Sequence, residues 1–152
     1  MLISWAYGGH YPPYSKLRIM NNIFLTLSIL PDTFAICRLE AKAKLPDWVL
    51  LANFFSMTRT LDELSIVCPV AQIPPDIECS LEWCCFQVEG QLDFSLTGIL
   101  ASLATPLAQV GISIFALSTY DTDYLMAKQE NKELAIEILS QAGHQVKSGA
   151  RG

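Results

Sequence analysis

Charged side chains are scarce in this sequence: Asp, Glu, Lys and Arg make up only 16% of the 152 residues, whereas 51% are apolar. Such a composition excludes a disordered protein, because disordered chains combine high charge with few apolar residues. Basic residues are the scarcer kind, and the formal net charge is −5. We therefore expect no nucleic-acid partner, since binding to phosphates needs clustered Lys and Arg.

Long apolar runs are also lacking. No run reaches the roughly 18 residues that a bilayer-spanning helix needs, so we expect no membrane partner. The run Ile23–Leu30 follows Lys16 and Arg18 and resembles a signal peptide, but Pro31-Asp32-Thr33 replaces a small-x-small cleavage site. Polar and apolar residues alternate within this run, as they do in a half-buried strand. We therefore interpret it as a strand and not as a cleaved signal.

Cysteine and histidine offer few combinations for chemistry. Five cysteines are an odd number without the spacing of a disulfide framework, which favours unpaired thiols and a reducing cytoplasm. Cys84 and Cys85 are adjacent in a predicted strand, so they point to opposite faces and cannot readily chelate one metal. His10 and His144 lie near the two ends of the chain, and there is no Cys-x-x-Cys. We expect no metal, no cofactor and no Ser/His/Asp catalysis.

Composition changes along the chain divide it into two modules. We predict an extended or unstructured N-terminal extension, for which Met20 is an alternative start, then a loosely patterned module, a proline-rich linker, a clearly patterned module and a loose tail. These segments are residues 1–19, 20–70, 71–81, 82–147 and 148–152. In the first module we predict a tight turn at Pro31-Asp32 and a short helix after Pro46.

The second module has the strongest periodicity in the chain. The strand Trp83–Val88 is followed by a helix that we predict to begin near Ser95, whose hydroxyl can cap its first turn. The strands and the second helix that follow give the order βαββαβ. A faint repeat links the modules, because Thr58-x-x-x-Asp62-x-Leu64 matches Thr119-x-x-x-Asp123-x-Leu125. That match favours a tandem architecture.

These residues resemble a known family. The segments Gly90–Ala101 and Gly111–Tyr124 resemble the ACT domain, and in the first half Thr58–Val67 carries the resemblance. The branch it looks most like is that of small tandem-ACT bacterial proteins related to cytosolic arginine sensors and aspartokinase regulatory domains. The resemblance implies an α+β fold of two ferredoxin-like βαββαβ modules, with antiparallel sheets, helices on one face and a degenerate N-terminal module.

The resemblance also implies a function. We expect a cytoplasmic, homodimeric regulatory protein that binds a free amino acid without catalysis. The alternative is an ACT module that serves only association. A third hypothesis is a small enzyme that uses a cysteine. A helix N-terminus suits an α-carboxylate, and acidic side chains suit the ammonium group. The candidate ligand-binding residues are Glu89, Gly90, Ser95, Leu96, Thr97, Gly98, Ile99, Thr119, Tyr120, Thr122 and Asp123. Asp123 also fits a plain turn residue, and Glu89 a solvated strand end.

Overall fold

β-strands dominate the computed structural model of this protein, which describes residues 23–92 and 96–149. Two α-helices and three short 3-10 segments connect the strands. The strands are β1 Thr26–Ile29, β2 Phe34–Leu39, β3 Ser56–Arg59, β4 Leu64–Pro69, β5 Glu78–Val88, β6 Ile114–Ser118, β7 Asp123–Lys128 and β8 Gln145–Ser148, and the helices are α1 Ile99–Gln109 and α2 Lys132–Gln141.

Strand β5 is the element that both halves of the chain share. The first part of β5 pairs with β2, and the sheet continues from β2 to β4 and β3. The second part pairs with β7 on one side, followed by β6, and with β1 on the other, followed by β8. All eight strands thus form one sheet. The α+β fold with tandem ferredoxin-like modules, predicted from the resemblance, is confirmed.

A β-bulge in β5 lets this one strand serve both modules. Phe34 pairs with Trp83, and Cys37 pairs with Cys79, so β5 holds one more residue than β2 between these two pairs. Glu82 lies within this interval in the left-handed region, with φ 64°. In a regular strand Cys79 and Trp83, which are four residues apart, would point to the same face of the sheet. The bulge therefore places them on opposite faces, where they join different apolar clusters.

Both helices pack on one face of the sheet. Their buried side chains, among them Leu103, Leu107 and Leu139, belong to the same apolar cluster as Phe86 and Val88 of β5. On the opposite face, Phe34, Val67, Trp83, Cys85 and Met126 form a separate cluster that includes the half-buried ring of Phe54. Neither described helix has the length and hydropathy that a membrane span requires.

The first module is degenerate because short 3-10 segments stand where the second has α-helices. Asp47–Leu51 occupies the connection between β2 and β3, and Val70–Gln72 the connection between β4 and β5. The helix predicted after Pro46 is therefore a 3-10 segment that contributes the buried side chain of Val49 to a small core.

Several predicted boundaries are wrong, and pairing between distant strands explains each difference. Pro31-Asp32 does not reverse the chain, because β1 and β2 both run antiparallel to β5 along the same edge. Strand β1 lies between β5 and β8 of the second module, although its sequence falls in the first. The proposed linker 71–81 includes the first four residues of β5, which begins at Glu78.

Candidate functional site

A cavity of about 290 Å³ opens between the N-terminal end of α1 and the turn that joins β6 to β7. The helix follows β5, and the turn lies beside the end of β5, so the sheet brings together two chain segments that are distant in sequence. The lining residues are Leu92, Leu96, Gly98, Ile99, Leu100, Ser118, Thr119, Tyr120, Asp121, Thr122 and Asp123.

The β6–β7 turn is held by a local network of hydrogen bonds. Both the backbone N–H and the hydroxyl of Thr119 donate to the carbonyl of Thr122, at 2.9 and 3.1 Å. The hydroxyl of Thr122, a residue that is only 5% exposed, donates to the carbonyl of Val88 at 2.8 Å. The N–H of Leu92 donates to the carbonyl of Asp121 at 2.7 Å. These bonds hold the turn against the end of β5. They therefore also fix the backbone positions of Asp121 and Asp123.

The N-terminus of α1 contributes backbone donors to the cavity. Gly98 is the N-cap residue, with φ 77°, and it has no side chain that could accept a hydrogen bond. The first bond within the helix runs from the N–H of Ser102 to the carbonyl of Gly98, at 2.9 Å. The N–H groups of Ile99, Leu100 and Ala101 therefore have no acceptor within the helix, and the helix dipole adds partial positive charge there. The predicted start near Ser95 is wrong, and Ser95 itself lies outside the described residues.

Two carboxylates line the same cavity as this helix end. A side-chain oxygen of Asp123 accepts a hydrogen bond from the Ser118 hydroxyl at 2.6 Å, across the last pair of the β6–β7 ladder. The carboxylate of Asp121 lies 3.5 Å from the side-chain amide nitrogen of Gln91. Among the described residues that line the cavity, none is basic. The cavity thus offers backbone donors for an anion and carboxylates for a cation.

A second cavity, of about 280 Å³, lies beside the first and shares Thr119, Asp121 and Thr122 with it. Its other lining residues are mostly polar, and all but Gly90 carry an amide or a hydroxyl group: Gln87, Gln91 and Tyr124 complete the set. Asp121 is therefore the carboxylate that borders both cavities.

The structure brings together most, but not all, of the residues predicted for the site. Those that line the first cavity are Leu96, Gly98, Ile99, Thr119, Tyr120, Thr122 and Asp123. Gly90 lines the second cavity, and Thr97 is not among the residues that line either. Glu89 points instead toward β1 and β8, where it accepts hydrogen bonds from the Ser28 hydroxyl and, at 3.3 Å, from the Lys147 ammonium.

Sequence reasoning missed four lining residues, Leu92, Leu100, Ser118 and Asp121. The signal for Asp121 was its place in the polar run Tyr120–Asp123, in which both carboxylates line the cavity. Ser118 could have been found from the register of the β6–β7 hairpin. A hairpin closed by the turn Thr119–Thr122 places Ser118 opposite Asp123.

The β3–β4 hairpin repeats the β6–β7 hairpin, but in a register different from the predicted one. The N–H of Thr60 donates to the carbonyl of Glu63 at 2.9 Å, as Thr119 does to Thr122. Arg59 and Leu64 close the β3–β4 ladder, as Ser118 and Asp123 close the other. Asp62 therefore corresponds to Asp121, and Leu64 corresponds to Asp123. The predicted equivalence of Asp62 and Asp123 is wrong, because a three-letter match ignores the hydrogen-bond ladder.

The cysteines differ in part from the prediction. Cys37 and Cys79, paired across β2 and β5, form a disulfide, so the prediction of unpaired thiols is wrong for these two. Cys68, Cys84 and Cys85 are free and buried, and Cys84 and Cys85 join clusters on opposite faces, as predicted. Burial raises the pKa of Cys68 to about 11 and that of Cys85 to about 12.

Metal-binding chemistry has no candidate group in the described part of the chain. Across residues 23–92 and 96–149, no cluster of three or more His, Cys, Asp or Glu side chains could hold a metal ion. The acidic side chains of the first cavity are Asp121 and Asp123, which are accompanied by hydroxyl groups and backbone donors.

Comparison with known proteins defines the family. Residues 78–141 match the model of the ACT domain, and residues 32–76 match a second family model, described as an N-terminal domain. The chain is 38% identical to a protein from Agobacterium tumefaciens of known crystal structure, covering 85% of this chain and 96% of that one with a TM-score of 0.80. The chain belongs to the ACT domain family. Comparison with the curated proteins gave no match.

More distant structures share the fold. A Vibrio cholerae protein of unknown function, described as a possible transport protein, is 19% identical with a TM-score of 0.65, over 86% of this chain and 97% of that one. The regulatory subunit of aspartate kinase from Thermus flavus is 12% identical with a TM-score of 0.56, over 79% of this chain and 99% of that one. At these identities the likeness concerns the fold alone.

Proposed function

We propose that this protein is a regulatory, non-catalytic sensor that binds a free α-amino acid in the cavity between α1 and the β6–β7 turn. One observation carries the proposal: the donor-rich N-terminus of α1 and the Asp123 carboxylate line the same cavity. The α-carboxylate of the ligand accepts from the N–H groups of Ile99–Ala101, and its α-ammonium donates to Asp123. An uncharged metabolite would offer neither an anion to these N–H groups nor a cation to Asp123.

The chemistry of the site supports binding over catalysis. The described lining residues supply hydroxyls and carboxylates, but no histidine, lysine or cysteine that could activate a nucleophile. Both ring nitrogens of His144 are engaged by backbone groups of Leu25 and Ser102. Structural relatives of this chain include regulatory subunits of aspartate kinase, whose regulatory role is consistent with the proposal.

The rim of the cavity supports an association of two copies. Leu96 is 52% exposed, Tyr120 is 81% exposed, and Leu100, on the first turn of α1, is 36% exposed. Exposed apolar side chains around an open cavity favour a covering surface. We propose that a homodimer forms and responds to the ligand; association without any ligand is the alternative function that the same rim favours.

Thermal stability measured with each of the common free amino acids tests the proposal. A ligand present at about a hundred times its dissociation constant stabilises the native state by roughly 2.7 kcal/mol, which is a clear rise in melting temperature. Asp123→Asn should remove most of this rise but keep the fold, because the amide oxygen can still accept from Ser118. Asp62→Asn, the same acid-to-amide change in the other hairpin and away from the cavity, is the control and should respond like the parent protein.

The same samples separate the two functions by sedimentation. If an amino acid raises the melting temperature only in proteins that retain Asp123, the sensor function is supported. If no amino acid changes the melting temperature while the chain is dimeric at all concentrations, the sensor function is wrong and the association module stands. A ligand response that survives Asp123→Asn would place the binding site elsewhere.

A further inference from the structure

The described chain enters the sheet through a segment of three residues that lies against both helices. This entry segment is Ile23–Leu25, directly before β1. The ring of Phe24 lies so close to Gly143, just after α2, that a Cβ atom there would overlap it. The end of the Ile23 side chain lies 3.3 Å from the place where Gly98 would carry a Cβ atom. Because Gly98 is the N-cap residue of α1 and lines the first cavity, the entry segment borders the candidate site.

One histidine fastens the entry segment to α1. The Nδ1 atom of His144 accepts from the N–H of Leu25 at 3.2 Å, so the proton of the neutral ring is on Nε2. That nitrogen donates to the carbonyl of Ser102 in α1, at 3.1 Å. The residue is buried, with an exposed fraction of only 4%. A single side chain thus joins the start of β1 to the helix.

This arrangement suits only the neutral form of the ring. An added proton would go to Nδ1, because that nitrogen carries the lone pair of the neutral ring. There it would point at the N–H of Leu25, so that two donors would face each other in place of one hydrogen bond. The ring would also carry a positive charge away from water, which is costly unless an anion lies beside it. Protonation of His144 and its bond to Leu25 therefore exclude each other.

The charged groups on the elements around the ring are engaged elsewhere. The entry segment, β1 and α1 contain no Asp, Glu, Lys or Arg. On α2, Glu137 accepts from the side-chain amide of Gln141 at 3.1 Å, and on β8, Lys147 pairs with Glu89. The remaining charged residues of α2 lie at its first turn, far from the ring: Lys132 and Glu133. Within these five described elements, no carboxylate is therefore placed to hold a charged imidazole.

We propose that His144 is a pH-sensitive latch. The neutral ring holds the entry segment against α1, and the protonated ring releases the segment, together with the contact of Ile23 at Gly98. Lower pH therefore loosens the helix end that lines the first cavity. This regulation goes beyond the proposed function and holds whatever the cavity binds. A freed imidazole accepts a proton at about pH 6.5, and below that pH the released fraction grows up to about tenfold for each unit.

Native-state amide exchange of Leu25, followed by NMR on the full chain, tests the latch. The protection factor is the exchange rate corrected for the intrinsic rate. It should fall by about eightfold between about pH 7 and about pH 5.5, because one added proton favours the released form. His144→Gln should remove this dependence and keep the segment bound, since its amide can accept from Leu25 and donate to Ser102 without titrating. His10→Gln, the same change at the other histidine, is the matched control and should behave like the parent protein.

The extent of the opening is a second criterion. Release of the entry segment is local, so the Leu25 amide should exchange faster than the amides of β2, which need the whole sheet to open. Equal rates for the two would overturn the inference. A protection factor of Leu25 that does not change with pH would overturn it as well, and so would one that changes as much in His144→Gln as in the parent protein.

Nitrogen NMR of the ring provides a test on the parent protein, which is decisive even if His144→Gln does not fold. In molecules whose Leu25 amide is protected, the ring should stay neutral, with its proton on Nε2, throughout this pH range. A ring that carries both protons while the protection of Leu25 is unchanged would show that the proton and the bond coexist, and the latch would be wrong.

Discussion

His144 links two backbone groups that the fold would otherwise leave without partners, and this link allows a quantitative test. Pro106 lies inside α1 and has no N–H, so the carbonyl of Ser102, four residues earlier, receives no bond from it. The Nε2 atom of His144 lies 3.1 Å from that carbonyl oxygen. The Nδ1 atom accepts from the N–H of Leu25 at 3.2 Å, so the proton of the neutral ring is on Nε2.

The expected cost of removing this link follows from the two groups it serves. A buried backbone group that loses its partner costs about 1–3 kcal/mol, and because both contacts are only partly buried we take the lower part of that range. His144→Ala should therefore lower the free energy of unfolding by about 2–4 kcal/mol, before any loss of packing is counted. In a Pro106→Ala background, residue 106 regains an N–H that can serve Ser102. There His144→Ala should cost about 1–2 kcal/mol less.

Urea unfolding of the four proteins in this double-mutant cycle provides the measurement, with the transition midpoint and slope read separately. The reasoning would be refuted if the two substitutions were additive, since the orphaned carbonyl would then not be what His144 serves. A cost below about 0.5 kcal/mol for His144→Ala would refute it as well.

The cysteines give two further predictions. The Cys37–Cys79 disulfide closes a sequence separation of 42 residues, so its reduction should remove about 4 kcal/mol of stability on the loop-entropy model and lower the calorimetric melting temperature by roughly 10 °C. Cys37→Ser/Cys79→Ser should melt at that lower temperature with or without reductant, and equal melting of the oxidised and reduced parent proteins would contradict the bond. Burial raises the pKa of Cys85 to about 12 and keeps it protonated, so a thiol reagent should label Cys84 and Cys85 slowly in the native state at pH 7 and rapidly in urea. Fast native labelling at pH 7 would restore the cysteine-enzyme hypothesis.

The sequence predicted the features that local patterns encode and missed those that distant pairing decides. Periodicity located a helix after β5, but the Ser95 hydroxyl and the Gly98 backbone both fit a helix start, and only the fold selects Gly98. The Cys37–Cys79 bond depends on the β2–β5 register and on the bulge at Glu82, neither of which leaves a local signal.

In the candidate site, too, local sequence patterns predicted some residues, and pairing between distant strands decided others. Asp123 was predicted from its neighbourhood in a polar run, and it lines the cavity. Asp121, in the same run, was passed over because a letter-by-letter repeat aligned Asp62 with its neighbour. The correct register requires the bonds of Thr60 and Thr119, which make Asp62 the counterpart of Asp121. Glu89 lines neither cavity, because its partners Ser28 and Lys147 come from strands that meet β5 only in the folded sheet.

The sharing of β5 means that no cut in the chain yields two self-sufficient pieces. A fragment of residues 32–76 would leave the inner edge of β2 without its partner, and a fragment beginning at residue 78 would lack β1, leaving a gap between β5 and β8. Amide protons on β2 and β4 should therefore exchange with solvent only when the whole sheet opens. A ligand bound beside α1 would stabilise the whole sheet against global opening. It would therefore slow amide exchange in the first module without contacting that module.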